Sequence, residues 1–173
     1  PLGVGVMSAA LKKGELGDAG YAQMIASTTK LNTPGPDLAA LPGVHALTDV
    51  TGFGLAGHAL EIARGAGCQV RVEWAKVPLL AGVRELASKG HVTGASGRNW
   101  AGYGAQVALP HGFAAVDQAL LGDPQTSGGL LVSCDAAALG EVLAIFRRHG
   151  FEAASVIGEI ADAPVGAPRL VVR

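Results

Sequence analysis

Ala46-Leu-Thr-Asp-Val-Thr-Gly-Phe-Gly-Leu-Ala-Gly-His58 sets a short apolar run, one acidic residue and a glycine-rich turn against the start of a helical pattern. Val44, Ala46 and Leu47 read as the end of a buried strand. Gly52 and Gly54 permit a sharp turn, and Leu55, Leu60 and Ile62 open an apolar repeat of helical spacing. A turn that feeds a helix leaves backbone N–H groups unpaired and carries partial positive charge, so a phosphate can sit there. Asp49, just ahead of the turn, offers the hard oxygen ligand that a metal ion sharing that phosphate requires. On local chemistry alone, Asp49 is equally a side chain capping the turn after its strand. The stretch reads as half of a metal–phosphate site.

Outward from this stretch, the chain mixes strands and helices. Leu2, Val4 and Val6 alternate with Gly3 and Gly5, which predicts a strand with one bare face. Lys12-Lys13-Gly14 is a turn, and Asp18 caps a helix with Tyr21, Met24, Ile25 and Leu31 on its inner side. Asn32–Pro36 stops it, and a short helical piece follows at Asp37–Leu41. The helix from Gly54 ends near Gly65–Gly67, Cys68–Trp74 alternates as a half-buried strand, and Pro78–Lys89 suits a short helix. From Gly90 to Gly112 no period is visible, which predicts a long functional loop or elements hidden by composition. Gly129–Cys134 is a strand, and Asp135 caps a helix closed by Arg147, Arg148, His149 and Gly150. Ala154–Ile160 and Arg169–Arg173 read as closing strands. Without a strict βαβ period, the fold class is α+β with a mixed β-sheet.

Composition narrows the classes. The 173 residues suit one domain, with 49% hydrophobic and 16% charged residues and a net charge of −1. No basic run or aromatic-interleaved patch points to nucleic acid. No apolar stretch approaches the roughly 20 residues that span a bilayer, so a membrane is not an expected partner. Cys68 and Cys134 border apolar runs and belong to no CxxC pair, which favours reduced, core-packed thiols and a cytoplasmic location. The chain opens on Pro1 without an initiator Met and is read as a fragment of a longer protein.

Three further motifs carry chemistry beside plainer readings. Gly52-Phe-Gly54-Leu-Ala-Gly57 matches GxGxxG, with Glu73 where a ribose-binding acid belongs, and so allows a dinucleotide-binding oxidoreductase domain. Asp49 counts against it, because a carboxylate there repels a bare pyrophosphate. Leu121-Gly-Asp-Pro-Gln-Thr-Ser-Gly-Gly-Leu130 gathers Thr126, Ser127 and the Gly128-Gly129 amides at one point, as a ligand loop or as a loop that satisfies its own backbone. In Thr93–Asn99, Arg98 is either a phosphate contact or a solvated loop arginine. His58 is read as a packed or capping histidine rather than a ligand, since no second His or Cys stands at metal spacing.

Taken together, Thr48-Asp-Val-Thr-Gly-Phe-Gly-Leu-Ala-Gly-His58 and Asp123-Pro-Gln-Thr-Ser-Gly-Gly-Leu-Leu131 closely resemble selenophosphate synthetase (selenide, water dikinase). Pro1-Leu-Gly-Val-Gly-Val6 and the Arg98-Asn99 pair are similar to the same family in the same order. The resemblance covers nearly the whole chain but only the C-terminal half of such an enzyme. It implies a layered α/β/α domain like the C-terminal domain of aminoimidazole ribonucleotide synthetase, residues 1–173 forming that single domain. It also implies an ATP-binding, dimer-forming N-terminal domain as partner in a homodimer. The implied reaction turns ATP, selenide and water into selenophosphate, AMP and orthophosphate, with Mg²⁺ required.

Carried over by position, Asp49 matches the family's magnesium-binding aspartate. Thr51, Gly52 and Gly54 share that motif and are expected to shape the turn under metal and phosphates; no role is carried over for the loop with Thr126 and Ser127, which is expected to buttress that turn or close over the phosphates. The family's reactive Cys or selenocysteine and its essential Lys lie upstream of Pro1, so Cys68 and Cys134 are not the nucleophile and the fragment alone is expected to be inert. Ala95, Ser96 and Gly97 depart from the Gly-Thr-acid that the family places before Arg98-Asn99. The remaining alternatives are a sister ATP-using enzyme and a purely structural domain.

Overall fold

The computed structural model describes residues 1–173. In chain order the elements are α1 (Val4–Lys12), α2 (Asp18–Thr28), α3 (Gly35–Ala40), β1 (Val44–Asp49), α4 (Gly54–Ala66), β2 (Gln69–Val72), α5 (Val83–Ser88), α6 (Gly94–Tyr103), β3 (Val107–Ala108), α7 (Ala115–Leu121), β4 (Leu130–Cys134), α8 (Leu139–Arg148), β5 (Gly158–Ala161) and β6 (Leu170–Val172). Four strands form a mixed sheet in the order β3-β6-β2-β5, parallel except for the β2–β5 pair. β1 and β4 form a separate antiparallel ribbon, with Leu47 opposite Val132 and Asp49 opposite Leu130. The expected α+β class with a mixed sheet is what the chain adopts.

Alternation along the ribbon divides the interior in two. Leu47, Leu130, Val132 and Cys134 pack toward Leu38 of α3 and Val142, Ile145 and Phe146 of α8, whereas Leu131 joins the main core. That main core gathers α1, α4, α5 and α7 with β2 and β6 around Met7, Leu60, Leu120, Leu121, Leu170 and Val172. α4 is the central element: Leu55, Ala56, Ala59, Leu60 and Ala63 are all buried, and Gly67 closes it in the left-handed conformation. Cys68 and Cys134 are free thiols, both half-buried and packed against the two cores. No helix is long and apolar enough to cross a membrane.

Three expectations are corrected, and the one left open over 90–112 is resolved in favour of hidden elements. The opening Leu2–Val6 is not a strand; only Leu2 makes a bridge, to Leu79, and α1 begins at Val4. Gly3, at φ +127°, turns the chain into the helix, and its first amides are captured by side chains more than a hundred residues away. The anticipated inner face of α2 is largely outward: Met24 is buried, but Tyr21, Ile25 and Leu31 are exposed. Asp18 is the helix's first residue and makes no capping bond, so it acts there only as a charge near the helix N-terminus. The stretch 90–112 holds α6, capped by Thr93 Oγ1 accepting from the Ser96 N–H at 3.2 Å, and strand β3.

Candidate functional site

Asp49 ends β1 with its side chain exposed and no hydrogen bond or ion pair to its carboxylate. Its hydrogen-bonded partner strand β4 begins at Leu130, directly after the loop 123–129, so both quoted motifs meet here. The Val50 N–H donates to the Gly129 carbonyl at 2.9 Å, and the Gln125 N–H donates to the Thr51 carbonyl at 3.0 Å. Gly128 lies so close that an added Cβ would sit 1.8 Å from the Val50 carbonyl oxygen. Gly128→Ala is therefore expected to push the loop off the turn and cost about 2–3 kcal/mol, read as a lower urea midpoint with unchanged slope.

Helix α6 holds the same turn from its other side. Asn99 Nδ2 donates to the carbonyls of Gly52 at 2.8 Å and Gly122 at 3.2 Å, and the Tyr103 hydroxyl donates to the Phe53 carbonyl at 2.8 Å. Burial pushes the Tyr103 phenol up to about 12, so it stays a donor throughout the neutral range. Thr51, Gly52 and Phe53 thus each have their carbonyl fixed by a distant element. Gly54, at φ +68°, enters α4 against the Gly122 backbone, where a Cβ would lie 2.6 Å from a carbonyl carbon. A turn braced in this way keeps its geometry without a ligand, as a phosphate or metal site requires.

The Asp123–Gly129 loop has a second task that the sequence did not reveal. Asp123 Oδ2 accepts from the N–H groups of Gly5 at 3.0 Å and Val6 at 3.4 Å, and Gln125 Oε1 accepts from Gly3 and Val4, both at 3.2 Å. Gln125 Nε2 donates to the Asp123 carboxylate at 2.9 Å, joining the two caps. All four amides at the start of α1 are met this way. Burial pushes the Asp123 carboxyl up to about 6, although Gln125, Val6 and Gly5 each pull it down. Thr126 and Ser127 stand exposed at the loop's tip, and Ser127 adopts a left-handed φ of 48° that non-glycine residues seldom take. Asn32 Nδ2 donates to the Gly128 carbonyl at 2.8 Å and ties the tip down.

Of the remaining candidates, Arg98 lines an open cleft of about 240 Å³ with Phe53, Glu61, Arg64, Asn99 and Tyr103. His58 is buried, as a packed histidine should be, between Thr51 and Glu61. β1 and β2, which flank α4, lie in different sheets, so GxGxxG here is not part of a βαβ unit. The dinucleotide reading fails on that topology. No group of three metal-capable side chains occurs in the chain. Asp49 nonetheless fits a magnesium ion as one ligand among several: it is a free carboxylate, exposed, on a braced turn. Asn99, Tyr103, Asn32, Asp123 and Gln125 are the residues whose positioning roles sequence reasoning missed. The available hints were the Thr93/Ser96 cap spacing and the polar density of the loop.

The chain that folds into this braced, glycine-rich turn with its exposed strand-end carboxylate matches a known family. The chain belongs to that family, AIR synthase related protein, C-terminal domain, whose model matches residues 1–171. Among curated relatives it is 65% identical over 164 residues to a selenide, water dikinase of Burkholderia ambifaria, covering 95% of this chain and 46% of that protein. It is 58% identical over 172 residues to one of Pseudomonas straminea, covering 99% of this chain and 47% of the relative. The resemblance carried by the two motifs is thus borne out, and the chain spans about half the length of the curated relatives it matches. Among solved structures, hydrogenase maturation protein HypE in complex with ATP superposes with a TM-score of 0.69 at 19% identity, over 99% of this chain and 44% of that one. The Escherichia coli HypE structure gives 0.66 at 19% identity, over 99% and 43%. At such identities the match establishes the fold.

Proposed function

We propose that the chain is the C-terminal domain of a selenophosphate synthetase, making selenophosphate, AMP and orthophosphate from ATP, selenide and water. The observation that carries this reading is the unpaired, exposed carboxylate of Asp49 on a turn braced by the loop 123–129 and by α6. Asp49 would hold one face of a magnesium ion, which neutralises phosphate charge during transfer. The other ligands come from the phosphates, water and an N-terminal half of the same chain, in a homodimeric, cytoplasmic enzyme. Thr51, Gly52 and Gly54 would shape the floor of the site, and Thr126 and Ser127, exposed at the loop's tip, would offer hydroxyls to a phosphate from the loop side. That the ATP-bound HypE shares this fold supports a nucleotide-using role.

The test is phosphorus NMR of the intact parent protein with Mg-ATP and selenide. Selenophosphate and AMP are the expected products, and the 173-residue chain alone is expected to leave ATP untouched, since it lacks the nucleophile and most of the cations that phosphoryl transfer demands. A folded parent that leaves ATP unchanged would refute the reading.

A further inference from the structure

His58 sits in a hydrogen-bonded chain that the proposed site does not yet use. Its Nδ1 lies 2.8 Å from Glu61 Oε2, one turn further along α4, and its Nε2 lies 3.3 Å from Thr51 Oγ1. The imidazole is buried, whereas Glu61 is about half exposed and lines the cleft beside Arg64 and Arg98. A carboxylate only accepts, so Nδ1 carries the proton and Nε2 of the neutral ring is a lone pair. The Thr51 hydroxyl must then donate inward, leaving its own lone pairs for whatever approaches the turn. Hydroxyl, imidazole and carboxylate in this order form the arrangement that withdraws a proton from a hydroxyl.

We propose that Thr51, His58 and Glu61 form a proton relay that activates the water consumed at this site. The inference rests on the selenophosphate synthetase reading. Of the two phosphoryl groups that ATP loses in that reaction, one ends on selenium and the other on water. Selenide is a strong nucleophile near neutral pH without help; water is not. As the water oxygen bonds to phosphorus, the bond from phosphorus to the departing oxygen breaks, and the electron pair leaves with that oxygen. The water proton passes to Thr51 Oγ1 while the Thr51 proton passes to His58 Nε2. Glu61 stabilises the resulting imidazolium, and once orthophosphate has left, the Nε2 proton passes back through Thr51 Oγ1 to solvent, which restores the neutral ring protonated at Nδ1. Thr51 is the group that touches the reacting water; His58 and Glu61 act through it.

The experiment uses the intact parent with kinetics and histidine nitrogen NMR in parallel. Thr51→Val and His58→Gln are expected to lower kcat for orthophosphate release about 100-fold with the ATP KM little changed, while Thr51→Ser stays within about twofold because it keeps the hydroxyl. Glu61→Gln, which removes the carboxylate that receives the Nδ1 proton's hydrogen bond, is expected to lower the same rate with the ATP KM again little changed. NMR should find neutral His58 protonated at Nδ1. Variants with the parent's kcat, or an Nε2-protonated His58, overturn the relay and leave the synthetase reading intact. A folded parent that forms no selenophosphate overturns both.

Discussion

Asp49→Asn in the intact parent protein is expected to lower selenophosphate formation at least ~100-fold while leaving stability within ~0.5 kcal/mol. The two halves of this result have separate causes. The carboxylate is exposed and unpaired, so its removal breaks no contact and buries no new polar group. The amide keeps the shape but loses the negative charge, and a neutral oxygen is a much poorer ligand for magnesium. The loss should fall on kcat and on the magnesium requirement together, and excess Mg²⁺ should recover part of the activity, because the metal's other ligands remain. Phosphorus NMR time courses at rising Mg²⁺ beside urea titrations of both proteins provide the check. An Asp49→Asn protein with parental activity would make the residue a turn cap and return the metal site to other residues.

Much of this site could be read before any coordinates, for a physical reason. Val44–Asp49, Gly54–Ala66, Gln69–Val72 and Leu130–Cys134 carry periods of two or 3.6 within their own few residues, and the structure places elements there. The failures are all non-local. α1 looks like a strand because its N-terminal amides are satisfied by Asp123 and Gln125, which no window around Val4 contains. α6 is obscured by Gly94, Gly97 and Gly102, each unfavourable in a helix, and is held by contacts that Asn99 and Tyr103 make with the turn at 52–53. In α2 only Met24 of the expected face reaches the core, Tyr21 and Ile25 are exposed, and Leu31 lies beyond the helix's end. The Asp123 motif was visible as an unusual stretch, yet its buried acid and amide could not be distinguished from ligand-binding groups by composition.

That motif does two things at once. Its first residues cap α1, and its last residues clamp the Asp49 turn through the Gln125 and Val50 N–H groups. Gln125 belongs to both, accepting from Gly3 and Val4 with its side chain while its backbone N–H donates to Thr51. The start of the chain and the candidate metal turn are therefore coupled through one residue, and a defect in the cap should reach the site without touching it.

Asp123→Ala is accordingly expected to cost about 3–5 kcal/mol. It strands the Gly5 and Val6 N–H groups and the Gln125 amide in an interior closed to water, since Asp123 is fully buried. Asp123→Asn separates charge from shape. Because the folded carboxyl titrates at about 6 against an ordinary 3.8, the folded state holds its proton more tightly than the unfolded state does. The stability from this group is complete below pH 3.8 and is lost as pH rises through 6, a change of about 3 kcal/mol. Asparagine has no such dependence. Urea titrations of the chain from pH 4 to pH 7 should therefore show the wild type losing ground to Asp123→Asn by about that amount as pH rises. Parallel stability curves for the two would mean that the carboxylate's three hydrogen bonds offset its burial in full, and that the cap works as an anion at every pH.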